Sequence, residues 1–318
     1  MHCRENRRAV RRDLPAFRMR LITDIIRLIR VRQWVKNLFV FLPLIFGGSL
    51  MSASGLLGGA GVFLCFCLAS SAIYALNDVA DRETDRRHPS KSHRPVASGR
   101  IRPEAAGAIS GGLGAAALAG SLWMFPHKPQ VCAILSAYIL LNILYTYMLK
   151  HMAIIDVLAI ATGFVLRVYG GGAACVTAVS PWLTVMVFLS TLFIAFGKRR
   201  DDLMPAQSED ALKSATPRRS VSGYTPGFID QTMTLLASAT IVAYIIYTLQ
   251  PEVCERFGSD HVYLTTVFVI AGILRYMQKA IVKNETGDPS ELVTRDPFII
   301  GCVVCWLAAF IFIIYIAP

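Results

Sequence analysis

The chain has 318 residues, of which 54% are hydrophobic and only 17% are charged. Soluble domains carry about 25% charged residues, so this composition excludes an ordinary soluble domain. The 32 Lys and Arg outnumber the 21 Asp and Glu, and the formal net charge of +11 indicates anionic partners.

Residues 1–32 precede the apolar segments and form a basic N-terminal region. The first 20 residues are rich in arginine and lack the apolar stretch of a signal peptide. We expect a basic arm that binds anionic lipid headgroups. Residues 21–32 are amphipathic and predict a short helix at the membrane surface. Residues 33–318 then form one membrane domain that carries the functional site.

Nine apolar segments follow, each near the length that an α-helix needs to cross a bilayer. These blocks predict an all-α integral membrane fold with nine transmembrane helices around a central cavity that opens to the cytoplasm. The predicted spans are 34–50, 57–77, 105–123, 130–149, 154–172, 181–196, 231–250, 261–279 and 298–316.

The cations are distributed unequally between the two sides of these spans. With the N-terminus inside, only Lys128 and Arg256 fall in outer loops, and Arg167 lies within a span. The positive-inside rule therefore predicts a cytoplasmic N-terminus, in the cell (inner) membrane, and an active site at the cytoplasmic face. The basic residues occupy short loops between spans, so anionic lipid or a phosphate-rich substrate is a better partner than nucleic acid.

Acidic residues begin where the second predicted span ends. Asn77, Asp81 and Asp85 are spaced four residues apart, so a helix would align their oxygen atoms along one face, with Asp78 nearby. Oxygen ligands with room for water suit Mg²⁺, which bridges carboxylates and substrate phosphates. The alternative is a solvated helix end with ordinary surface acids, but this run emerges directly from a span. The sequence therefore predicts a Mg²⁺ site formed by these four residues.

A basic segment follows the acidic run within the same loop. Pro89 ends the helix, and Lys91 and Arg94 come directly after it. Acids that hold a metal ion and bases that bind phosphate oxygens together favour a magnesium diphosphate substrate. For Arg100 and Arg102, a positive-inside loop without a ligand is the better interpretation.

Further motifs recur along the chain at positions that suit one family. They are Arg32-Gln33-Trp34-Val35-Lys36-Asn37, His88-Pro89-Ser90-Lys91, Arg94-Pro95, Tyr147, Leu149-Lys150-His151, Asp156, Arg167, Gly197-Lys198-Arg199, Leu274-Arg275-Tyr276, Gly287-Asp288-Pro289, Glu291 and Arg295-Asp296. Together with the acidic run, they resemble the UbiA superfamily of intramembrane prenyltransferases. They are most similar to its decaprenyl-phosphate phosphoribosyltransferase branch. The resemblance covers nearly the whole chain from residue 27 onward.

The resemblance implies a Mg²⁺-dependent enzyme that transfers phosphoribosyl from phosphoribosyl pyrophosphate to a polyprenyl phosphate and releases pyrophosphate. Its implied catalytic residues are Asp81, Asp85, Lys36 and Arg167. The substrates together carry a charge of order −6 or −7, since a phosphate monoester carries about −1.5 to −2, and several cations must balance it. The implied substrate-binding residues are Lys36, Asn37, Lys91, Arg94, Tyr147, Lys150, Asp156, Arg167, Lys198 and Arg199. The oligomeric state stays open.

The loop after the sixth span favours this branch over other relatives. Members that move a prenyl group from its diphosphate to an aromatic or other acceptor usually carry a second aspartate-rich motif there. Here the loop begins Lys198-Arg199-Arg200-Asp201-Asp202, and its first two cations resemble a phosphate clamp. The prenyl-transferring activity stays the alternative. A transporter is disfavoured because the acids cluster at one face rather than near the midplane.

Arg167 lies about 20 Å inside the fifth predicted span, at ~1.5 Å per residue. A charge at that depth is costly and indicates a functional site, the alternative being a structural partner for a carbonyl or a buried acid. Asp156 begins the same helix, three turns earlier and on nearly the same face. Its carboxylate could accept hydrogen bonds from ribose hydroxyls or pair with Lys150, and the sequence does not decide between these.

Overall fold

The computed structural model describes residues 21–47, 52–89, 91–203, 223–283, 292 and 295–315. In these ranges the secondary structure is helical and no strand occurs, so the all-α prediction is confirmed for them. The basic arm before residue 21 lies outside the described residues. So do Ser90 and the motif Gly287-Asp288-Pro289 with Glu291.

The chain enters the fold through three short helices. Residues 21–29 form α1, a 3₁₀ helix spans Val31–Phe41, and α2 spans Leu42–Phe46. Arg30 turns the chain between the first two with a left-handed backbone (φ 50°), which a residue with a side chain rarely adopts. The first predicted span, 34–50, is therefore not one α-helix, because its described part is divided between the 3₁₀ helix and α2.

Seven helical segments are long and apolar enough to cross a membrane. In chain order the helices are α3 (Ala53–Ala80), α4 (Arg82–Arg87), α5 (Pro103–Met124), α6 (Pro129–Tyr147), α7 (Ile155–Cys175), α8 (Pro181–Leu203), α9 (Pro226–Thr248), α10 (Pro251–Phe257), α11 (Thr266–Met277) and α12 (Pro297–Tyr315). Of these, α4 and α10 are short connections. The seventh candidate span is Val262–Val282, which contains α11, and the apolar stretch of α12 is shorter than the seven.

Proline and polar side chains begin several of these helices. Ser52 caps α3 by accepting a hydrogen bond from the backbone N–H of Gly55, and Thr225 caps α9 in the same way. Pro103 and Pro129 stand in the first turn of α5 and α6, where the missing N–H has no partner to lose. These signals fix the helix starts close to the cytoplasmic and outer loops that the sequence predicts.

Gly171 lets the 3₁₀ helix lie directly against α7. A Cβ at this position would collide with the carbonyl oxygen of Val40, so only glycine fits. Small residues commonly permit such close approach between membrane helices. Asn37 lies one turn before Val40, and Arg167 lies one turn before Gly171. The contact therefore brings Asn37 against Arg167.

Two apolar clusters lie on opposite sides of α7. One joins α7, α8, α9 and the end of α11 through Phe193, Phe196 and Met233. The other joins α3, α6 and the 3₁₀ helix to α7 through Phe66 and Leu135. Members of both clusters, Tyr138 and Ala195 among them, line a cavity beside α7.

Candidate active site

The cavity between α3, α6, α7, α8 and the 3₁₀ helix has a volume of about 400 Å³. Seven of the predicted site residues line it: Lys36, Asn77, Asp81, Lys150, Arg167, Lys198 and Arg199. Five of these are cations and one is a carboxylate. Apolar side chains form most of the remaining lining, so the cations act in a medium of low dielectric. The cavity therefore favours a strongly anionic ligand.

The other predicted site residues lie outside this lining. Asn37 and Asp156 are fully buried behind it. Tyr147, at the end of α6, is 57% exposed and does not face the cavity. Lys91 and Arg94 lie in the turns that follow α4. The structure thus separates the residues that line the cavity from those that are buried behind it or lie outside its lining.

The acidic run divides at the end of α3. Asn77 and Asp81 line the cavity, whereas Asp78 and Asp85 are buried away from it. The expected alignment along one continuous helix face does not hold, because α3 ends at Ala80 and Asp81 forms the junction with α4. Two oxygen-bearing side chains therefore face the cavity rather than four.

Arg94 joins the two buried acids. Its Nη1 lies 2.6 Å from Asp85 Oδ2 and 3.3 Å from Asp78 Oδ1. Arg30 adds a second cation, with Nη2 2.5 Å from the same oxygen of Asp78 and its guanidinium 4.9 Å from the ring centre of Tyr74. Sequence reasoning did not find Arg30, because the contact joins residues 48 positions apart.

The two oxygen-bearing residues of the cavity also have protein partners. Lys150 Nζ lies 2.5 Å from Asp81 Oδ1. Thr146 donates a hydrogen bond to the side-chain oxygen of Asn77. Both partners come from the end of α6 and the turn after it. Lys150 therefore pairs with Asp81 and not with Asp156, which corrects one of the two interpretations offered for Asp156.

The side-chain oxygens of Asn77 and Asp81 are ligands of the kind that Mg²⁺ binds, provided that water and substrate supply the others. Mg²⁺ usually takes one or two protein carboxylates and completes its shell with water and substrate phosphate. The described residues contain no cluster of three or more His, Cys, Asp or Glu that could hold a metal. A metal ion at these two side chains would need its remaining oxygen ligands from water and substrate phosphate, and it would share Asp81 with Lys150.

Arg199 reaches the cavity from α8 and is fixed from behind by acids. Its Nε lies 2.7 Å from Asp156 Oδ2, and its Nη1 lies 2.7 Å from Asp202 Oδ2. Tyr224 donates its hydroxyl hydrogen to Asp156 Oδ1 over 2.8 Å. Burial raises the pKa of Tyr224 to about 12, so the hydroxyl stays a donor at neutral pH. The fully buried Asp156 thus pairs with a cation, Arg199. Its contact with ribose stays a prediction.

Arg167 is buried against α3, α6 and the 3₁₀ helix without an acidic partner in the described structure. Nε donates to Asn37 Oδ1 (2.8 Å), Nη1 to the carbonyl of Gly163 (3.0 Å) and Nη2 to the hydroxyl of Tyr138 (2.8 Å). The rings of Tyr138 and Phe164 flank the guanidinium at 4.7 and 4.9 Å. These neutral groups use three of its five N–H donors, and its positive charge stays uncompensated. A buried charge of this kind indicates an anionic ligand.

Comparison with known proteins gives a consistent result. Residues 40–212 match the UbiA prenyltransferase family. The decaprenyl-phosphate phosphoribosyltransferase of Mycolicibacterium smegmatis is 31% identical over 297 residues, which cover 90% of this chain and 91% of the relative. The protein of the same name from Mycobacterium tuberculosis is 30% identical over 292 residues, covering 91% and 93%.

Solved structures show the same fold. A UbiA homologue from Archaeoglobus fulgidus bound to GPP and Mg²⁺ has a TM-score of 0.67 and covers 92% of this chain and 100% of its own. Its sequence identity is 19%, so the likeness concerns the fold alone.

Proposed function

The chain belongs to the UbiA prenyltransferase family, and from that premise we propose that it transfers the 5-phosphoribosyl group of phosphoribosyl pyrophosphate to a polyprenyl phosphate. Pyrophosphate is the other product. The membrane helices and the named transferases among its relatives make the chain a multi-pass membrane transferase of this family. We propose phosphoribosyl pyrophosphate as the donor, a polyprenyl phosphate as the acceptor, and a requirement for Mg²⁺.

The charge of the cavity carries this proposal. Five cations and one carboxylate line a volume of about 400 Å³. Two phosphorylated substrates bring negative charge that such a lining can balance. A prenyl diphosphate with a neutral aromatic acceptor would bring far less. Asp202, at the end of α8, pairs with Arg199, which favours a phosphate clamp there over a second aspartate-rich motif.

The proposed roles follow the division between lining and supporting residues. Lys36, Lys198 and Arg199 bind substrate phosphate groups, and Arg167 supplies the deepest cation. Asn77 and Asp81 would hold Mg²⁺, and the ion would supply positive charge for the departing pyrophosphate. Asn37 positions Arg167. The buried acids act through the arginines they contact: Asp78 and Asp85 through Arg94, and Asp156 through Arg199. Lys91 and Tyr147, which do not line the cavity, stay predicted contacts of the substrates.

The reaction needs no general base on the protein. A polyprenyl phosphate is already an anion at neutral pH, so its oxygen attacks the anomeric carbon directly. The bond to pyrophosphate breaks through an oxocarbenium-like state, and the lining cations stabilise the departing charge. In-line attack from the opposite face inverts the configuration at that carbon.

The proposed topology places the cavity at the cytoplasmic side. Val31–Phe46 and α12 would complete nine spans with the seven long helices, and α1 would lie on the membrane surface before them. Exposed Leu21, Ile22 and Ile26 on α1 support this surface position. Residues 1–32 then form the basic arm and interfacial helix, and residues 33–318 form the catalytic domain.

A direct assay tests the proposed reaction. Purified enzyme in detergent or nanodiscs receives phosphoribosyl pyrophosphate labelled in the ribose, Mg²⁺ and a polyprenyl phosphate, and label is then measured in the lipid phase. We expect label transfer that depends on both the acceptor and Mg²⁺. A parallel reaction contains a prenyl diphosphate and an aromatic acceptor. Turnover there, without any ribose label in lipid, would replace this proposal with the prenyltransferase alternative.

A further inference from the structure

One face of α1 packs against the loop that follows α4. Leu28 on this face is fully buried in an apolar cluster with Val96 and Ile101, which belong to the α4–α5 loop (residues 91–102). Asp24 lies one helical turn before Leu28 on the same face and is 8% exposed. α1 therefore contacts the loop with both an apolar and an acidic side chain.

An ion pair joins the first half of α1 to this loop. Arg100 Nε lies 3.0 Å from Asp24 Oδ1, and Arg100 Nη2 donates a hydrogen bond to the backbone carbonyl of His93 over 2.7 Å. His93 directly precedes Arg94, which contacts the two buried acids of the site. Asp24 therefore fixes a guanidinium that itself binds the loop backbone beside Arg94.

A second ion pair lies where α1 ends. Arg30 Nη2 lies 2.5 Å from Asp78 Oδ1, and Arg94 Nη1 reaches the same oxygen from the loop over 3.3 Å. The guanidinium of Arg30 also lies 4.9 Å from the ring centre of Tyr74, which lines the cavity of the candidate active site. α1 and the loop therefore share one buried carboxylate beside this site.

The backbone at Arg30 gives independent support for a functional role of its side chain. Its φ of 50° is costly for a residue with a side chain, and such strain is concentrated at functional sites. Ser71 on α3 holds the turn, because its hydroxyl donates to the carbonyl of Ile29 over 2.9 Å. Glycine would adopt this turn without strain. The bond to Asp78 gives a reason for a long cationic side chain at a position that favours glycine.

We propose that α1 positions the α4–α5 loop for binding of the donor phosphates, with Asp24 and Arg30 as positioning residues. This inference rests on the proposed function and adds two residues that act through Arg100 and Arg94. The loop follows the acidic run directly, where the proposed function puts the donor diphosphate. Its predicted substrate contacts, Lys91 and Arg94, are then held in place before the donor arrives. A loop that is already ordered avoids the entropy cost of becoming ordered on binding.

Arg30→Gly and Asp24→Asn test the two ion pairs. Glycine suits the left-handed turn, so Arg30→Gly removes the guanidinium and the backbone strain together. Asp24→Asn keeps the size of the side chain and removes its charge. The matched controls are Arg27→Gln, on the exposed face of α1, and Arg102→Gln, at the exposed end of the loop.

Steady-state kinetics and thermal unfolding are measured for each variant. For Asp24→Asn and Arg30→Gly we expect the KM for phosphoribosyl pyrophosphate to rise about tenfold, as for the loss of one charge-assisted hydrogen bond. The KM for the polyprenyl phosphate and the melting temperature should stay near the unsubstituted values, and both controls should behave as the unsubstituted enzyme. An unchanged KM for the donor would overturn the inference. A lower melting temperature with equal changes in both KM values would also overturn it, because it would indicate a purely structural role.

A double-mutant cycle tests whether Asp24 acts through Arg100. If it does, Asp24→Asn combined with Arg100→Gln should raise the KM for the donor no more than Arg100→Gln does alone. Two rises that multiply in the double variant would show that the residues act independently, which contradicts the proposed pairing.

The unsubstituted enzyme separates this inference from the proposed function. If it transfers no ribose label to any polyprenyl phosphate, the proposed reaction fails. If it transfers label while Asp24→Asn and Arg30→Gly keep the KM for the donor, only the positioning role of α1 is lost.

Discussion

Asp156 on α7 and Arg199 on α8 form a buried ion pair, with Asp156 Oδ2 2.7 Å from Arg199 Nε. Their side chains are 0% and 2% exposed, although the guanidinium also lines the cavity. Breaking a buried pair by removing one partner is costly, because the remaining charge is left without compensation. The pair therefore fixes a cation at the cavity wall. We expect that it does not supply a proton acceptor for the reaction.

Asp156→Asn tests this positioning role. We expect the KM for phosphoribosyl pyrophosphate to rise about tenfold, or ~1.4 kcal/mol, because Arg199 loses one of its two carboxylates. The pH–rate profile should keep its shape, since no proton passes through Asp156. Tyr224→Phe, which removes the hydroxyl that bonds Asp156, should shift the KM in the same direction by less. Loss of the basic limb of the profile in Asp156→Asn would instead indicate a general base and favour the prenyltransferase alternative.

Asp81→Asn should nearly abolish turnover while the fold stays intact. Asp81 is the carboxylate that faces the cavity, so its loss removes the charged oxygen ligand proposed for Mg²⁺. The loss should exceed the ~10- to 100-fold typical for outer partners of a metal ligand. Glu104→Gln on exposed α5 is the control. Activity and Mg²⁺-dependent donor binding near the unsubstituted values at saturating Mg²⁺ would refute the assignment.

Asp85→Asn should lower turnover less than Asp81→Asn does. Asp85 acts through Arg94, which also contacts Asp78, so the change should cost about 10- to 100-fold as for an outer partner. Steady-state kinetics of the two variants, with Mg²⁺ titrations, make the comparison. Equal losses would place Asp85 at the metal, and an unchanged Asp85→Asn would exclude both roles.

Arg167→Lys should weaken substrate binding even though it keeps the charge. Lysine lacks the planar fork that donates to Asn37 and Tyr138 while it faces the cavity. Losing a charge-assisted hydrogen bond to phosphate costs about 1.5–3 kcal/mol, or ~10- to 100-fold in affinity. Binding of each substrate is measured separately, beside thermal unfolding. A variant with lower melting temperature but normal affinity for both substrates would make Arg167 a purely structural residue.

Asp296 should make the stability of the fold depend on pH in the acid range. Hydrogen bonds from Arg275 lower the pKa of Asp296, and Asp296 also caps α12 through the N–H groups of Phe298 and Ile299. A carboxyl whose pKa is lower in the folded state stabilises the fold above its ordinary pKa of about 3.9 and loses this contribution as pH falls further. Asp296→Asn should therefore lower the melting temperature at pH 7 and narrow its difference from the unsubstituted protein below about pH 4. A difference independent of pH would contradict this.

Much of the cavity lining could be predicted from sequence. Asn77, Asp81, Lys150 and Lys198 all lie where a predicted span meets the cytoplasmic side, and alternating spans bring such ends to one face. Arg167 stood out because a charge deep in a span needs a reason. Hydropathy, charge and the resemblance to the UbiA superfamily therefore located these lining residues together, without any knowledge of helix packing.

The pairing of charges could not be predicted in the same way. Arg30 pairs with Asp78, 48 positions away in the chain, and Asp156 pairs with Arg199 and not with Lys150. Such choices depend on the rotation and approach of whole helices, which hydropathy does not encode. The interruption of the acidic run after α3 likewise turned Asp85 away from the cavity. Hydropathy also does not distinguish a 3₁₀ helix from an α-helix, so the 3₁₀ helix in the first predicted span was not predicted.

In a screen of variants for activity, a substitution of Gly171 would have the same effect as the loss of a catalytic residue. The backbone of Val40 occupies the space that even an alanine methyl would need. The 3₁₀ helix would have to move outward, and Asn37 would move away from Arg167. An inactive Gly171→Ala protein would thus still contain every functional group. A survey of harmful substitutions would count Gly171 among the catalytic residues, although its role is to permit close helix packing.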